Sequence, residues 1–290
     1  MKIILILLFC LCLATACKNK AASTEDCQYI NKDTTKKDGK VLFDGKPITG
    51  LLCYYDNYTL KAKSLFKDGL EDGITRIYFE NGQLSREIAY KKGQREGKAK
   101  AYYESGQLRL AASYSNNKSE GLVIFYYENG ALMREELHKK SLVEGIAKEY
   151  YESGRLKLEA PFKNGLEEGL SKAYNENGNL MQEVPYKNGL KEGIVKYYEY
   201  GRLTHEATYK NNIKEGASKA YYENGQLNAE IPFMNDSMDG FVKYYNESGV
   251  ILFQILYRAN NAVSGTCADG RAIKKAELTN WENGAALPCR

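Results

Sequence analysis

A glycine recurs along most of the chain at an almost constant interval. Successive members of this column lie 23 or 24 residues apart, and they are Gly50, Gly73, Gly97, Gly121, Gly145, Gly169, Gly193, Gly216 and Gly240. A period of this length is typical of a repeat protein. The chain is therefore predicted to fold as an array in which each unit packs mainly against its neighbours.

Two columns of turn residues divide each repeat. The first contains Asn81-Gly82, Ser105-Gly106, Asn129-Gly130, Ser153-Gly154, Asn177-Gly178, Tyr200-Gly201, Asn224-Gly225 and Ser248-Gly249. The second contains pairs such as Asp68-Gly69, Asn164-Gly165 and Asn188-Gly189. Asn-Gly pairs favour two-residue hairpin turns, because both central residues need a positive φ. Two strands of about ten residues and two such turns fill the period. We predict an all-β fold, an extended open antiparallel meander of about nine 24-residue β-hairpin repeats.

The turn length fixes which side chains face each other. If Ser153-Gly154 is a two-residue loop, Lys148 lies opposite Glu159 and Tyr150 lies opposite Lys157. The same rule pairs Arg76 with Glu87, Lys172 with Glu183 and Lys219 with Glu230. A three-residue loop with a glycine bulge is the alternative, and it is expected to break these cross-strand pairs.

Every repeat also carries a tyrosine four residues before the second position of the first turn, which is a glycine in every repeat except the first. The row comprises Tyr54, Tyr78, Tyr102, Tyr126, Tyr150, Tyr174, Tyr197, Tyr221 and Tyr245. The predicted register places it on the face with the charged pairs. Two interpretations stay open: the rings shield the backbone of a single sheet, or they form a binding row that stacks sugars or contacts a protein.

The composition disfavours several classes of function. The 41 basic and 37 acidic residues are mixed along the chain, without the basic stripe of a nucleic-acid-binding protein. Only two histidines are present, and no motif of a hydrolase, phosphate loop or metalloprotease occurs. His138 occupies the position at which other repeats have a tyrosine or phenylalanine. We interpret it as a substitute for that ring and not as a catalytic residue. We expect no enzyme activity, no metal, no cofactor and no nucleic-acid partner.

The N-terminus predicts export. Eleven apolar residues, Ile3 to Leu13, suit a signal peptide and are too few to span a bilayer of about 30 Å. The following Ala14-Thr15-Ala16-Cys17 resembles a bacterial lipobox, in which Cys17 becomes the lipidated first residue after removal of residues 1–16. The alternative is an ordinary signal peptide with an unmodified cysteine. Lys18 favours the outer over the inner membrane by resemblance to enterobacterial sorting. Residues 17–40 are predicted to be a flexible tether.

Four further cysteines lie near the two ends of the repeat array of residues 41–260, with Cys53 inside it. They allow three disulfide connectivities, of which proximity in sequence favours Cys27–Cys53 and Cys267–Cys289. Residues 261–290 are predicted to cap the array with a short helix over Ala272–Trp281.

The repeat resembles a known family. Tyr-Tyr-Glu-Asn-Gly-Gln-Leu at 221–227 and Tyr-Lys-Asn-Gly-Leu-Lys-Glu-Gly at 186–193 resemble MORN repeat variants, including the bacterial group labelled YwqK-type antitoxins. The resemblance covers about residues 41–260 and implies serial hairpins with a non-catalytic binding role. Together with the predicted N-terminal lipid anchor, this role predicts an envelope scaffold for a protein or glycan partner. The alternative is an antitoxin or immunity protein that neutralises a toxin.

Overall fold

The computed structural model describes residues 27–29, 34–282 and 289. A 26-stranded sheet forms the body of the molecule, and a separate three-stranded sheet lies near its N-terminal end. From Gly50 to Cys267 the large sheet is an antiparallel meander, in which each two-residue strand and the strand after it pair with the same preceding strand. The predicted all-β meander with one short C-terminal helix is confirmed.

The elements are numbered in chain order. The N-terminal strands are β1 (Gln28–Tyr29), β2 (Thr34–Lys37), β3 (Lys40–Phe43), β4 (Lys46–Pro47), β5 (Gly50–Asp56), β6 (Thr59–Lys67), β7 (Leu70–Glu71), β8 (Gly73–Tyr78), β9 (Leu84–Lys91) and β10 (Gln94–Tyr102). The central strands are β11 (Leu108–Ser115), β12 (Lys118–Ser119), β13 (Gly121–Tyr126), β14 (Leu132–Lys139), β15 (Leu142–Val143), β16 (Gly145–Tyr150), β17 (Leu156–Lys163), β18 (Leu166–Glu167), β19 (Gly169–Tyr174) and β20 (Leu180–Lys187). The C-terminal elements are β21 (Leu190–Lys191), β22 (Gly193–Glu199), β23 (Arg202–Lys210), β24 (Ile213–Tyr221), β25 (Leu227–Met234), β26 (Ser237–Met238), β27 (Gly240–Tyr245), β28 (Ile251–Arg258), β29 (Asn261–Cys267) and α1 (Lys275–Glu282).

The second turn column forms two-residue hairpins, as predicted. Asn164 and Gly165 have φ values of +53° and +80°, and Lys163 pairs directly with Leu166. These are the dihedrals of a type I′ turn. Asn116-Asn117 and Asn235-Asp236 have the same backbone although they lack glycine. Asn and Asp tolerate the left-handed region, so the column keeps one turn type.

The first turn column differs from the prediction. Residues 152–154 form a three-residue loop, closed by bonds from the Gly154 N–H to the Tyr151 carbonyl and from the Tyr151 N–H to the Arg155 carbonyl. The pairing then shifts between Glu149 and Tyr150, so Tyr150 lies opposite Leu156 rather than Lys157. The extra loop residue and the bulge offset each other, and Lys148 still lies opposite Glu159. The alternative loop is thus present without breaking the pairs in the body of the strand.

The two 23-residue repeats have a shorter first turn. Tyr200-Gly201 adopts φ values of +50° and +77°, and Glu199 pairs with Arg202 across a two-residue turn. Asn57-Tyr58 does the same in the repeat that begins at Gly50. The 23-residue repeats are therefore one residue shorter in this loop, and the two strands on either side of the loop keep their length.

Hydrogen bonds tie each repeat to the next. In six repeats, the glutamate before the column glycine accepts a bond from the first N–H of the following type I′ turn. The pairs are Glu96–Asn116, Glu120–Lys140, Glu144–Asn164, Glu168–Asn188, Glu192–Asn211 and Glu215–Asn235, at 2.7–2.9 Å. Four tyrosine hydroxyls also donate to a backbone carbonyl 23 residues later, in the pairs Tyr103–Tyr126, Tyr127–Tyr150, Tyr151–Tyr174 and Tyr222–Tyr245. The repeated Glu and Tyr thus have structural roles between neighbours.

Burial is concentrated in one narrow row and at the two ends of the array. The row consists mostly of small side chains, including Ala99, Ala112, Val123, Ala147, Ala160, Ser171, Val184, Val195 and Ala207. At the N-terminal end, Ile48, Leu52 and Phe66 form a cluster with Val41 packed against it. At the C-terminal end, Phe253, Ile255 and Tyr257 pack with Ile273 and Leu278. The larger cores thus cover the ends of the sheet, where edge strands need protection.

The N-terminal tether prediction is corrected in part. Residues 34–37 and residue 40, which the prediction placed in a flexible tether, belong to the three-stranded sheet of β2, β3 and β4. This hairpin reaches the array through backbone bonds between Val41, Ile48 and Gly69. The rest of the predicted tether lies outside the described residues, except Cys27 to Tyr29.

The C-terminal cap combines a strand and a helix. β29 pairs with β28 and extends the sheet beyond the predicted array boundary at residue 260. Helix α1 follows, and Ile273 before it packs on the bare backbone of Gly265, where an added Cβ would lie 2.7 Å from Ile273 Cδ1. The cysteines pair as Cys27–Cys53 and Cys267–Cys289, with Cα–Cα distances of 5.7 and 5.6 Å. The side chain of Trp281, a predicted cap anchor, lies outside the described residues.

We predict that Cys289→Ser loosens the cap and promotes self-association. The disulfide closes a loop of 22 residues, which is worth about 3 kcal/mol by chain entropy, and a helix of this length is marginal alone. Without it, the outer edge of β29 is uncovered and free to pair with another chain. Light scattering should show larger assemblies for the variant, while circular dichroism retains the strand signal. Unchanged assembly after the substitution would contradict this role of the cap.

Candidate functional site

One face of the sheet carries a row of alternating charges, which we call the charge ladder. Each member lies directly opposite the next on the neighbouring strand. The ladder comprises Glu135, Lys148, Glu159, Lys172, Glu183, Lys196, Glu206, Lys219, Glu230 and Lys243. We call this side of the sheet the ladder face. Each central charge lies between two opposite charges, which favours the observed register over its alternatives.

Of the four predicted charged pairs, two form ion pairs and one is changed, while Lys148 and Glu159 lie directly opposite each other without an ion pair among the described residues. Arg76 Nε lies 3.0 Å from Glu87 Oε2, and Lys172 Nζ lies 4.0 Å from Glu183 Oε1. Lys219 lies opposite Glu230 as predicted, but its ammonium contacts Glu206 on the other neighbouring strand at 3.3 Å. A lysine that lies between two carboxylates can form an ion pair with either one. The prediction that Lys219 pairs with Glu230 was therefore wrong.

The tyrosine row needs correction at two positions. Tyrosines such as Tyr150 lie five residues after the column glycine, and by backbone pairing the equivalents in the 23-residue repeats are Tyr55 and Tyr198. The prediction had assigned Tyr54 and Tyr197 because it counted back from a turn that is one residue shorter there. Alternation along the strand places Tyr54 and Tyr197 on the opposite face.

Three tyrosines of the row bond to carboxylates of the ladder. The hydroxyls of Tyr150, Tyr198 and Tyr221 donate to Glu135, Glu183 and Glu206 at 2.8–2.9 Å. Burial of each phenol, together with its bond to the carboxylate, raises the pKa of these three tyrosines to about 12. The row therefore braces the ladder while part of each ring stays accessible.

An exposed apolar stripe runs beside the ladder on the same face. Its members follow the column glycine by one residue, and where their strand carries a ladder residue they lie two residues before it. They are Ile74, Leu122, Ile146, Leu170, Ile194 and Phe241, each between 38% and 55% exposed. Leu65 and Leu137 on paired strands extend the stripe. Lys98 interrupts the stripe between Ile74 and Leu122, and its main stretch runs from Leu122 to Ile194. Exposed apolar surface of this kind marks interaction sites in soluble proteins.

The sequence analysis missed this stripe. Its signal was present, since an apolar residue after the column glycine recurs in most repeats. The predicted register already places this residue on the face with the charged pairs. The exposure of its side chain could not be predicted, because it depends on how much the neighbouring strands cover it. The ladder face therefore carries three parallel features, the apolar stripe, the charge ladder and the tyrosine row.

A polar network interrupts the buried row of small residues. Glu136 is 7% exposed and accepts bonds from Arg134 Nε at 2.6 Å and from His138 Nε2 at 2.7 Å. His138 Nδ1 lies 2.7 Å from Ser119 Oγ, and Arg134 also reaches Glu149. The order Ser–His–Glu is that of a hydrolase triad. However, the N–H of Ser119 bonds to Ser141 Oγ and that of Glu120 to the Ser113 carbonyl, so neither is available to an oxyanion.

The described residues contain no group of three or more His, Cys, Asp or Glu side chains arranged to hold a metal ion. Cys17, the predicted lipidation site, lies outside them. The other predicted cysteines are joined in the two disulfides at the ends of the array.

We predict that Tyr150→Phe reduces the loss of stability at alkaline pH. The phenol ionises near pH 10 when unfolded and near pH 12 when folded, so its stabilisation is complete below pH 10 and disappears as the pH rises through 12. Denaturant titrations at a series of pH values from 9 to 12 should show that the free energy of unfolding falls less steeply with pH for the variant than for the wild type. Tyr58→Phe, at a side chain that is 92% exposed, is the matched control and should follow the wild type. Equal slopes for Tyr150→Phe and the wild type would contradict the bond to Glu135.

The comparisons with solved structures are weak. Staphylococcus aureus TarM shares 10% identity at a TM-score of 0.20, over 38% of this chain and 20% of that one. The TcdB2-TccC3 structure shares 13% identity at a TM-score of 0.20, over 75% of this chain and 14% of that one. The chain thus spans a fifth or less of the length of these structures, and at such scores the likeness carries no argument. No curated protein matches the chain in sequence.

A family model does match the repeats. The MORN repeat variant matches six times, at residues 71–92, 95–116, 119–140, 143–164, 167–188 and 214–235. Each match ends at or next to a type I′ turn of the second column. An open sheet of such repeats fits a repeat-based binding scaffold. The chain belongs to the family of MORN repeat variant proteins.

Proposed function

We propose that the protein is a non-catalytic scaffold of the bacterial envelope that binds a protein partner on its ladder face. The observation that carries this proposal is the apolar stripe, which leaves aliphatic side chains such as Ile146 and Leu170 about half exposed. Protein interfaces combine an apolar centre with a charged and hydrogen-bonding rim. The stripe beside the charge ladder provides both.

The ladder supports selectivity for one partner. Its charges alternate across ten strands, so a partner surface must match the alternation to avoid placing like charges together. Because the ladder charges already pair with each other, their contribution to affinity is small and their contribution to orientation is larger. A dedicated toxin is one kind of partner that fits such a pattern, which keeps the antitoxin or immunity role as the second candidate.

Lipid anchoring at Cys17 is the second part of the proposal. It rests on the apolar run and the small residues that precede the cysteine. No helix of the described residues is long and apolar enough to cross a bilayer. A lipid on Cys17 would hold the array at an envelope membrane, with the outer membrane favoured.

The non-catalytic part is supported by the polar network in the buried row. Ser119 and His138 replace an apolar packing contact with hydrogen bonds, and Glu136 is balanced by Arg134. A buried carboxylate of this kind needs such partners to be tolerated. The network therefore has a structural explanation.

Cys17→Ser is expected to move the protein from the membrane fraction to the soluble fraction. The mature wild type should carry an acyl group in mass spectrometry, whereas the variant should not. Membrane retention of the variant together with an unmodified Cys17 in the wild type would contradict lipid anchoring.

Site-specific cross-linking tests the binding surface. A photoreactive amino acid at Ile146 or Leu170 should capture one partner in intact cells, whereas the same probe at Ala173, on the opposite face, should not. Introducing Ile146→Lys should abolish capture from position 170, because a charge in the stripe resists desolvation. Equal capture from both faces, or none from either stripe position, would contradict the proposed interface.

A further inference from the structure

The face opposite the ladder contains a groove across strands β22 to β25. It encloses about 510 Å³, which is within the range of small-ligand sites. Tyr197 and His205 border one end, and Lys214 and Phe233 border the other. Ala207, Ser218 and Ala220 lie between them, and their small side chains leave the central space open.

The groove coincides with a departure from the repeat pattern. Residues 189–213 form the one stretch between residues 71 and 235 where a whole repeat is not matched by the family model. Tyr197 and His205 face each other in this stretch, whereas the flanking strands have Gln182, Ala220 and Ala229 in the same cross-strand row. Two large ring side chains thus stand beside two alanines, which creates the wall of the groove.

Several polar groups at the groove lack a partner among the described residues. Ser218 Oγ is buried and forms no hydrogen bond there. The His205 ring is exposed and forms none within that part of the chain. The Lys214 ammonium lies 4.9 Å from the centre of the Phe233 ring and has no carboxylate within salt-bridge distance in that part. A buried hydroxyl without a partner is costly, so a ligand that bonds to it gains affinity.

We propose that this groove binds a short stretch of an acidic polysaccharide, whose pyranose rings carry carboxylates. The apolar C–H face of one sugar ring suits the ring of Tyr197 at one end of the groove, and that of another suits Phe233 at the other end. The hydroxyl groups between them can reach Ser218 and His205, and a carboxylate at the Phe233 end matches Lys214. A neutral or purely aromatic ligand would leave the ammonium without an anionic partner.

The Lys214 ammonium forms no ion pair among the described residues, but one carboxylate lies near its end of the groove. Asp236 accepts a bond from the Lys214 backbone N–H at 2.8 Å. Glu199 borders the groove at the Tyr197 end, about six residues of strand from the level of Lys214, or roughly 20 Å. Glu206 belongs to the charge ladder, where it contacts Lys219 and accepts a bond from the Tyr221 hydroxyl. A ligand carboxylate at the Lys214 end therefore has Asp236 as its acidic neighbour and avoids Glu199 and Glu206.

This site is on the opposite face from the apolar stripe, so it goes beyond the proposed function and can fail or succeed independently of it. Calorimetric titration of the full mature chain with the α-1,4-linked trimer of galacturonic acid is the test, with maltotriose as the neutral probe. The acidic trimer should bind saturably, and maltotriose should bind about tenfold more weakly, because it lacks the anion that Lys214 recognises.

Three variants separate binding from folding. Ser218→Ala should weaken binding of the acidic trimer several-fold while leaving the unfolding midpoint equal or higher, because it removes a buried hydroxyl without a partner. Lys214→Gln should abolish the preference for the acidic trimer. Lys191→Gln is the matched control, since Lys191 lies over the ring of Tyr209 at 5.4 Å but does not line the groove, and it should bind as the wild type does.

Three outcomes would overturn the proposal. They are the absence of saturable binding of the acidic trimer, equal affinity for maltotriose, and equal effects of the Lys191 and Lys214 substitutions. Cross-linking at the apolar stripe is unaffected by any of these results.

Discussion

The array depends on contacts between neighbouring repeats, because the described part of the chain places no second layer over the middle of the large sheet. A sheet normally buries one face against another element. Here the clusters with large buried side chains lie at the two ends, and the middle has only a narrow row of small buried residues. Hydrogen bonds between neighbouring repeats therefore provide stabilisation that packing against a second layer would otherwise provide. The carboxylate of Glu144 on the turn at Asn164 and the hydroxyl of Tyr151 on the Tyr174 carbonyl are examples that recur along the array.

The same constraint leaves both faces of the sheet available for binding. The ladder face presents an apolar stripe because no layer covers Ile146 and its equivalents. The opposite face carries a groove where Tyr197 and His205 stand beside Ala220. Binding surfaces in such a molecule arise in two ways, from rows of equivalent side chains in successive repeats and from single repeats whose residues differ from the pattern. The regular rows suit a large partner surface, whereas a single altered repeat suits a small ligand.

Much of the fold follows from the sequence, and the exceptions have identifiable causes. Pairs such as Asn164-Gly165 predict their turn type because few residues tolerate two positive φ values in succession. The loop at Ser153 was misjudged because a three-residue loop plus a bulge gives the same pairing of Lys148 with Glu159 as a two-residue loop. Tyr197 was misplaced because the row was counted back from the turn at Tyr200-Gly201, which is one residue shorter than the turns of the 24-residue repeats. The unpartnered Ser218 hydroxyl depends on side-chain packing between four strands, for which the sequence has no local signal.

Deletion of one whole repeat tests the nearest-neighbour account most directly. Removing residues 145–168 deletes one complete repeat. The remaining strands then keep their direction, the face to which each side chain points and the hydrogen bonds between neighbouring repeats. The account predicts a folded protein with the same circular dichroism per residue, a modestly lower unfolding midpoint and both disulfides intact. Removing only residues 157–168 deletes one strand and reverses the direction of those that follow, so it should prevent folding. If the whole-repeat deletion unfolds as completely as the single-strand deletion, the stability of the array does not reside in contacts between neighbours.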